Sequence, residues 1–355
     1  MFLIECPTPQ RVPILDRLAE SRWTLLVRYR YRDDGRHGWG TQPLRHEHEY
    51  LSEGPLLRQL ATAVEILQGR VSVVCVFGHR GVARQSALLA ARLRRVPVVV
   101  RTDSNGFNAD WDAAWLRLVR RLLIAAIVPR HARVWSIGTA NDYYWRTHAR
   151  RNNIMRIPYE TPVLPGGAEA RVMHKSASTQ FRFLYVGRLD SNKSVDLILS
   201  AFLDLPHGRQ RYSLTLVGDG PERLSLERMA GHEPLITFSG SVRYCELGTK
   251  YAGHDCLILA SRREPWGLVV NEALAFGLRV IVADSVGAAH DLVDDDVGHI
   301  VPYGDVSALR EAMVDAAQRG RSRHLRSPSD TSPLMRQELE ALLGGPGPAR
   351  ARVPV

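Results

Sequence analysis

The sequence predicts an α/β protein built as two doubly wound parallel-sheet domains. Three observations carry this. The chain has 355 residues, too many for one ordinary core and enough for two. Short β-branched runs alternate with amphipathic helical stretches, the pattern of βα units around a parallel sheet, and the theme restarts midway. Between the halves, "PYETPVLPGGAEARVMHKSAST", 158–179, is rich in Pro, Gly and Ser and has no periodicity. The expected bounds are 1–160 for the first domain and 161–180 for the linker, then 181–320 for the second domain. A polar segment, a short helix and a disordered tail are expected over 321–355.

In the first half the strand candidates are "WTLLVRY", "VSVVCVFG", "VPVVVRTD" and "RVWSIGT", with helices over "LLRQLATAVEILQ" and "QSALLAARLRR". In the second half "FRFLYVG", "YSLTLVG", "LITFSG", "CLILAS" and "RVIVAD" are continuous and apolar, as in a sheet buried on both faces. Helices over "VDLILSAFLDL", "PERLSLERMAG" and "GLVVNEALAFG" separate them. Ligands of such sheets sit outside the carboxyl ends of the strands.

Composition narrows the class. Apolar residues make up 45% and charged residues 24%, as in ordinary globular proteins. No run of apolar residues is long enough for a membrane-spanning helix. The start, "MFLIECPTPQ", lacks the basic and long apolar segments of a signal peptide, and Cys6, Cys75, Cys245 and Cys256 have no CxxC spacing. A cytoplasmic protein with free thiols is expected. The net charge of +10 suits anionic partners, yet there is no lysine-rich tract and no zinc-finger or RNA-recognition signature. Of 47 basic residues only Lys175, Lys193 and Lys250 are lysines.

Three stretches of the second half carry chemistry. "YVGRLDSNKS" leaves a strand through Gly187 and enters a helix near Ser191 or Ser194, with Arg188 and Lys193 flanking the turn. A helix N-terminus favours an anion, and a guanidinium with an ammonium would make a diphosphate clamp. Two solvated surface cations are the alternative. "LVGDGPE" is a second strand and glycine turn, whose Gly218 and Gly220 would admit a ligand to the backbone. "SRREPWGLVVNEALAFG" holds Glu264 in a loop, because Pro265 disfavours helix there, and Glu272 one turn into the helix that Gly267 and Leu268 open. Carboxylates accept paired hydroxyls, as from a ribose or a sugar ring.

In order and spacing, "GRLDSNK", "VGDGP", "FSGSV", "ILASRREPWGLVVNEALAFGLRVIVAD" and "VGHIVPYGD" resemble the family 4 glycosyltransferases, over about 181–315. The resemblance is looser over 1–160. It implies a GT-B fold, two Rossmann-like domains facing a cleft, and a retaining, metal-independent hexosyltransferase. The enzyme would move a sugar from a nucleoside diphosphate sugar to an acceptor hydroxyl. The setting would be specialised-metabolite assembly, including amino-sugar or aminocyclitol products, or polysaccharide assembly. By this resemblance Arg188 and Lys193 hold the diphosphate, Glu272 the ribose and Glu264 the transferred sugar. The amides of Trp266, Gly267 and Leu268 meet sugar or phosphate, Gly187 and Gly218 flank the donor, and Val242 lies beside the base. In the first domain Asp103, at the end of "RTDS", would touch the donor sugar. No cofactor is implied beyond the donor itself, and no metal site.

The chain departs from the family where "PTPQRVP" replaces a Gly-Gly loop after the first strand. The terminal helix that returns to the first domain in relatives is represented only by "LMRQELEALL". "RHEHEY" offers His46 and His48 two apart without further ligands, and Glu47 and Glu49 either face a cationic acceptor or are solvated. "WLRLVRRLLIAAIVPR" is basic and amphipathic; it packs on the first sheet or makes weak peripheral contact with an anionic membrane. Nucleic acid is not an expected partner. The rival readings are a nucleotide-sugar 2-epimerase of the same fold and a basic nucleic-acid-binding protein.

Overall fold

The computed structural model describes residues 1–9, 11–21, 23–32, 43–51, 56–78, 81–104, 114–146, 153–160, 164, 180–206, 211–322 and 330–344. Nearly all of the 161–180 linker and the tail beyond 344 lie outside the described residues. The chain forms two units, Met1–Glu160 with Asp330–Val355, and Thr161–Ser329.

Unit 1 holds a seven-stranded parallel sheet. In chain order its strands are β1 (Phe2–Ile4), β2 (Val27–Tyr29), β3 (His48–Tyr50), β4 (Val74–Phe77), β5 (Val98–Arg101), β6 (Arg133–Ser136) and β7 (Ile154–Arg156). Their order across the sheet is β3-β2-β1-β4-β5-β6-β7. Side chains alternate between two cores, as the period of two requires. Phe2, Ile4, Cys75, Phe77, Val99 and Trp135 enter one core, with α1 (Val12–Ala19) over them. Leu3, Val74, Val76, Val98, Val100 and Val134 enter the other, covered by α2 (Leu56–Leu67), α3 (Val82–Arg94) and α5 (Thr139–Arg146). Strands β3 and β7 are absent from the sequence reading because three residues outside a longer apolar run show no period.

Helix α4 (Ala114–Ile127) packs on the sheet along only part of its surface. Ile124 is buried against the sheet, but Trp115, Leu118, Val119, Leu122 and Leu123 are exposed.

Unit 2 holds a six-stranded parallel sheet ordered β10-β9-β8-β11-β12-β13. Its strands are β8 (Phe181–Val186), β9 (Tyr212–Val217), β10 (Ile236–Gly240), β11 (Cys256–Leu259), β12 (Arg279–Ala283) and β13 (Gly298–Val301). Every residue of β11 and β12 is buried, matching their continuous apolar character. The connecting helices are α6 (Val195–Leu203), α7 (Arg223–Ala230), α8 (Leu247–Ala252), α9 (Leu268–Ala275), α10 (Ala289–Leu292) and α11 (Val306–Arg319).

The last helix, α12 (Ser332–Leu342), belongs to unit 1, where Met335 and Leu339 join the core beside Ile14, Leu15 and Leu18 of α1. The buried Glu160 carboxylate anchors its start. It accepts hydrogen bonds from Thr331 N at 2.7 Å and Arg17 Nη2 at 2.6 Å. "LMRQELEALL" thus performs the return that the sequence leaves open.

Candidate functional site

The carboxyl ends of β8, β9 and β11 bring three loops together. After β8 the chain turns through Gly187–Ser194 into α6, whose N-cap Ser194 is left-handed (φ 49°) and makes no side-chain cap. The Tyr185 hydroxyl braces this turn by donating to the Arg188 carbonyl at 2.7 Å. A Cβ at Gly218 would stand 1.8 Å from the Gly187 carbonyl oxygen, and one at Gly220 would stand 2.2 Å from that of Leu189. At both glycines the neighbouring loop of the chain itself approaches the backbone too closely for a side chain. The same loop is tied to the one after β11. Asn192 Nδ2 donates to the Arg263 carbonyl at 2.9 Å, and Arg262 N to that of Asn192 at 2.7 Å.

Across this junction Lys193 Nζ is hydrogen-bonded to Glu264 Oε2, which also accepts from Ser261 Oγ at 3.3 Å. The sequence assigns Lys193 and Glu264 to different parts of a ligand; the structure makes them an ion pair. An ammonium has three protons, so one carboxylate does not exhaust it. Arg188, half exposed, lies 3.2 Å from Asp190. Gly267 caps α9 at φ 99°, and no side chain caps that helix, so its first amides are open to an acceptor. The Trp266 side chain is buried, with Nε1 donating to Asn271 Oδ1 at 2.8 Å.

Glu272 is only 3% exposed. Its Oε2 accepts from the Tyr251 hydroxyl at 2.6 Å. Burial pushes the carboxyl up to about 7, with the Tyr251 hydrogen bond pulling the other way. Tyr244, in the short turn Tyr244–Glu246, has a buried hydroxyl with no hydrogen-bond partner among the described residues. Burial first and the Glu272 charge second raise the pKa of Tyr244. Val242 is partly buried between β10 and this turn. The sequence reading misses Tyr244 and Tyr251; the only signal for them is two tyrosines before α9 at no motif spacing.

In unit 1 Asp103 is exposed just beyond β5. Beside it Arg101 is buried, donating to the carbonyls of Ile157 at 2.8 Å and Pro158 at 3.2 Å, and burial lowers its pKa to about 10. His46 is consumed internally: Nδ1 meets Asp16 Oδ1 at 2.6 Å and Nε2 meets the Tyr29 hydroxyl at 2.9 Å. Glu49 accepts from Arg28 at 2.8 Å while its side chain stays 55% exposed. Among the described residues no group of three or more His, Cys, Asp or Glu could hold a metal ion, and no helix is long and apolar enough to cross a membrane. A cavity of about 300 Å³ beside α6 and α7 is lined by Ser191, Ser194, Asp196, Glu222 and Tyr303 among others. It contains none of Arg188, Lys193, Glu264 or Glu272.

Parallel sheets of seven and six strands flanked by helices form two Rossmann-like units, the GT-B class of fold that the solved structures the chain resembles share. Residues 168–326 match the family described as Glycosyl transferases group 1. Sulfoquinovosyl transferase SQD2 of Arabidopsis thaliana is 34% identical over 144 residues, 38% of this chain and 27% of that protein. The GDP-mannose-dependent alpha-mannosyltransferase of Corynebacterium glutamicum is 26% identical over 256 residues, 66% of this chain and 55% of that protein. The chain thus spans about half or less of the length of these curated relatives. Among solved structures, Anabaena Alr3699/HepE in complex with UDP shares the fold, with a TM-score of 0.65 at 16% identity, covering 97% of this chain and 98% of that one.

Proposed function

We propose that the chain is a retaining glycosyltransferase that uses a nucleoside diphosphate sugar. The observation that carries this is the cluster at the carboxyl ends of β8 and β11: the Lys193–Glu264 pair, the uncapped start of α9, and a buried Glu272 near the unpartnered Tyr244 hydroxyl. Each group suits one part of such a donor. Arg188, Lys193 and the α9 amides neutralise a diphosphate. The Glu272 carboxylate and the Tyr244 hydroxyl meet ribose hydroxyls. Glu264 accepts from hydroxyls of the transferred sugar.

In the reaction, the bond from the anomeric carbon to the diphosphate oxygen breaks. The acceptor oxygen bonds to the same face of that carbon, and the departing phosphate oxygen takes the acceptor proton. The cationic groups stabilise the leaving charge, so the reaction proceeds without a divalent ion. HepE was solved with UDP, which makes UDP the first nucleotide to test.

Thermal-shift screening of nucleoside diphosphates and their sugars tests the reading. The expected result is a melting-temperature rise with one base, followed by donor turnover that persists in excess chelator. No shift with any nucleotide overturns the donor assignment, and turnover that requires manganese or magnesium overturns the metal-free route.

A further inference from the structure

We propose that unit 1 docks on an anionic lipid bilayer through the outer face of α4 and the adjoining end of α3. Trp115, Leu118, Val119, Leu122 and Leu123 follow the i, i+3, i+4, i+7, i+8 spacing of a helix face. Such a stripe ordinarily faces a core. Here the same residues are exposed, Trp115 by 65%, Leu118 by 57% and Leu122 by 60%. The surface continues onto α3, where Leu89 is 48% and Leu93 76% exposed. The two helices are joined by Arg92 Nη1, which donates to the Ala126 carbonyl at 2.6 Å. Contiguous apolar exposure on this scale marks an interaction surface rather than scattered apolar residues.

Charge selects the occupant. Exposed Arg92, Arg94 and Arg95 end α3, and exposed Arg130 and His131 follow α4. No Asp or Glu occurs between Glu65 and Asp103, nor from Ala114 through Asn141. A second copy of this chain on the same face would set arginines against arginines, which symmetry makes repulsive. An anionic bilayer accepts both parts at once, leucines in the acyl boundary and guanidiniums among the headgroups, with Trp115 at the level between them.

Flotation of the full chain with vesicles tests this. Vesicles of equal phosphatidylglycerol and phosphatidylcholine should carry the protein. Vesicles of phosphatidylcholine alone should carry on the order of tenfold less, and high salt should release it. The variant Trp115→Ser/Leu118→Ser/Leu122→Ser, altered only at exposed positions, should lose roughly tenfold or more of its binding while keeping its circular dichroism spectrum. The single variant Arg94→Glu, which leaves every apolar residue in place, should weaken binding to the anionic vesicles alone. Three outcomes overturn the proposal. The parent stays in solution with anionic vesicles; the triple variant floats like the parent; or the parent is a dimer that the triple variant converts to monomer, which assigns the face to self-association.

Discussion

Lys193 and Glu264, separated by 71 residues in sequence, are joined side chain to side chain where two loops of unit 2 meet. Both are largely shielded, with side-chain exposures of 22% and 14%. Removing either partner therefore does two things: it strips a group from the site and leaves its partner's charge in a partly dry place.

Lys193→Ala should weaken nucleoside diphosphate binding by about 1.5–3 kcal/mol, the worth of a charge-assisted contact. It should also lower the melting temperature, because Glu264 is left uncompensated. Adding Glu264→Gln to Lys193→Ala should restore stability but not affinity. Calorimetric titration and thermal melting of the two variants check both halves. Unchanged affinity in Lys193→Ala makes the pair purely structural.

The two glutamates should separate by assay. Glu272→Gln should weaken binding of free nucleoside diphosphate, which contains the ribose. Glu264→Gln should leave that binding nearly intact and depress turnover, because the transferred sugar is missing from the free nucleotide. Product-binding and donor-turnover measurements decide between this and a pair of carboxylates with no ligand role.

The burial of Glu272 sets a pH dependence with a definite sign. Its folded pKa, near 7, lies above its ordinary value of 4.5. Its contribution to stability is therefore fully present below about 4.5 and is lost as pH rises through about 7. The loss is on the order of 3 kcal/mol at most. Glu272→Gln should remove this loss, so its advantage over the parent should appear at pH 8 and vanish at pH 4.5. Denaturant melts at the two pH values measure it. If ribose hydroxyls donate to the ionised form, nucleotide affinity should also rise from pH 6 to 8 in the parent beyond any rise seen in Glu272→Gln.

Gly218→Ala should be destabilising by about 3 kcal/mol or more, since its methyl carbon would overlap the Gly187 carbonyl oxygen, 1.8 Å away. The affected turn holds Arg188 and Lys193, so nucleotide affinity should fall along with stability. An alanine variant with parental melting and binding would show that the loops can part without consequence.

Much of this was legible in the sequence. Five of the six strands of the unit 2 sheet, the helices beginning at Val195 and Leu268, and the turns that end in Lys193 and Glu264 all follow from local pattern: apolar runs, glycine punctuation and proline restriction. The pairings were not. Tyr251 reaches Glu272 across 21 residues and Lys193 reaches Glu264 across 71. Contacts at such separations are set by strand order, which no local spacing encodes. The α4 stripe left two readings open for a related reason. Periodicity says which residues share a helix face, not whether that face meets a sheet or the solvent.

The return of α12 to α1 has a consequence during synthesis. Unit 2 emerges from the ribosome before residues 330–344, so it can fold while unit 1 still lacks a helix. Until then the seat for Met335 and Leu339, formed by Ile14, Leu15 and Leu18, stands bare. Nascent unit 1 therefore carries a temporary sticky surface for the whole translation time of the inserted unit, and its maturation is timed by the last helix rather than by its own last strand.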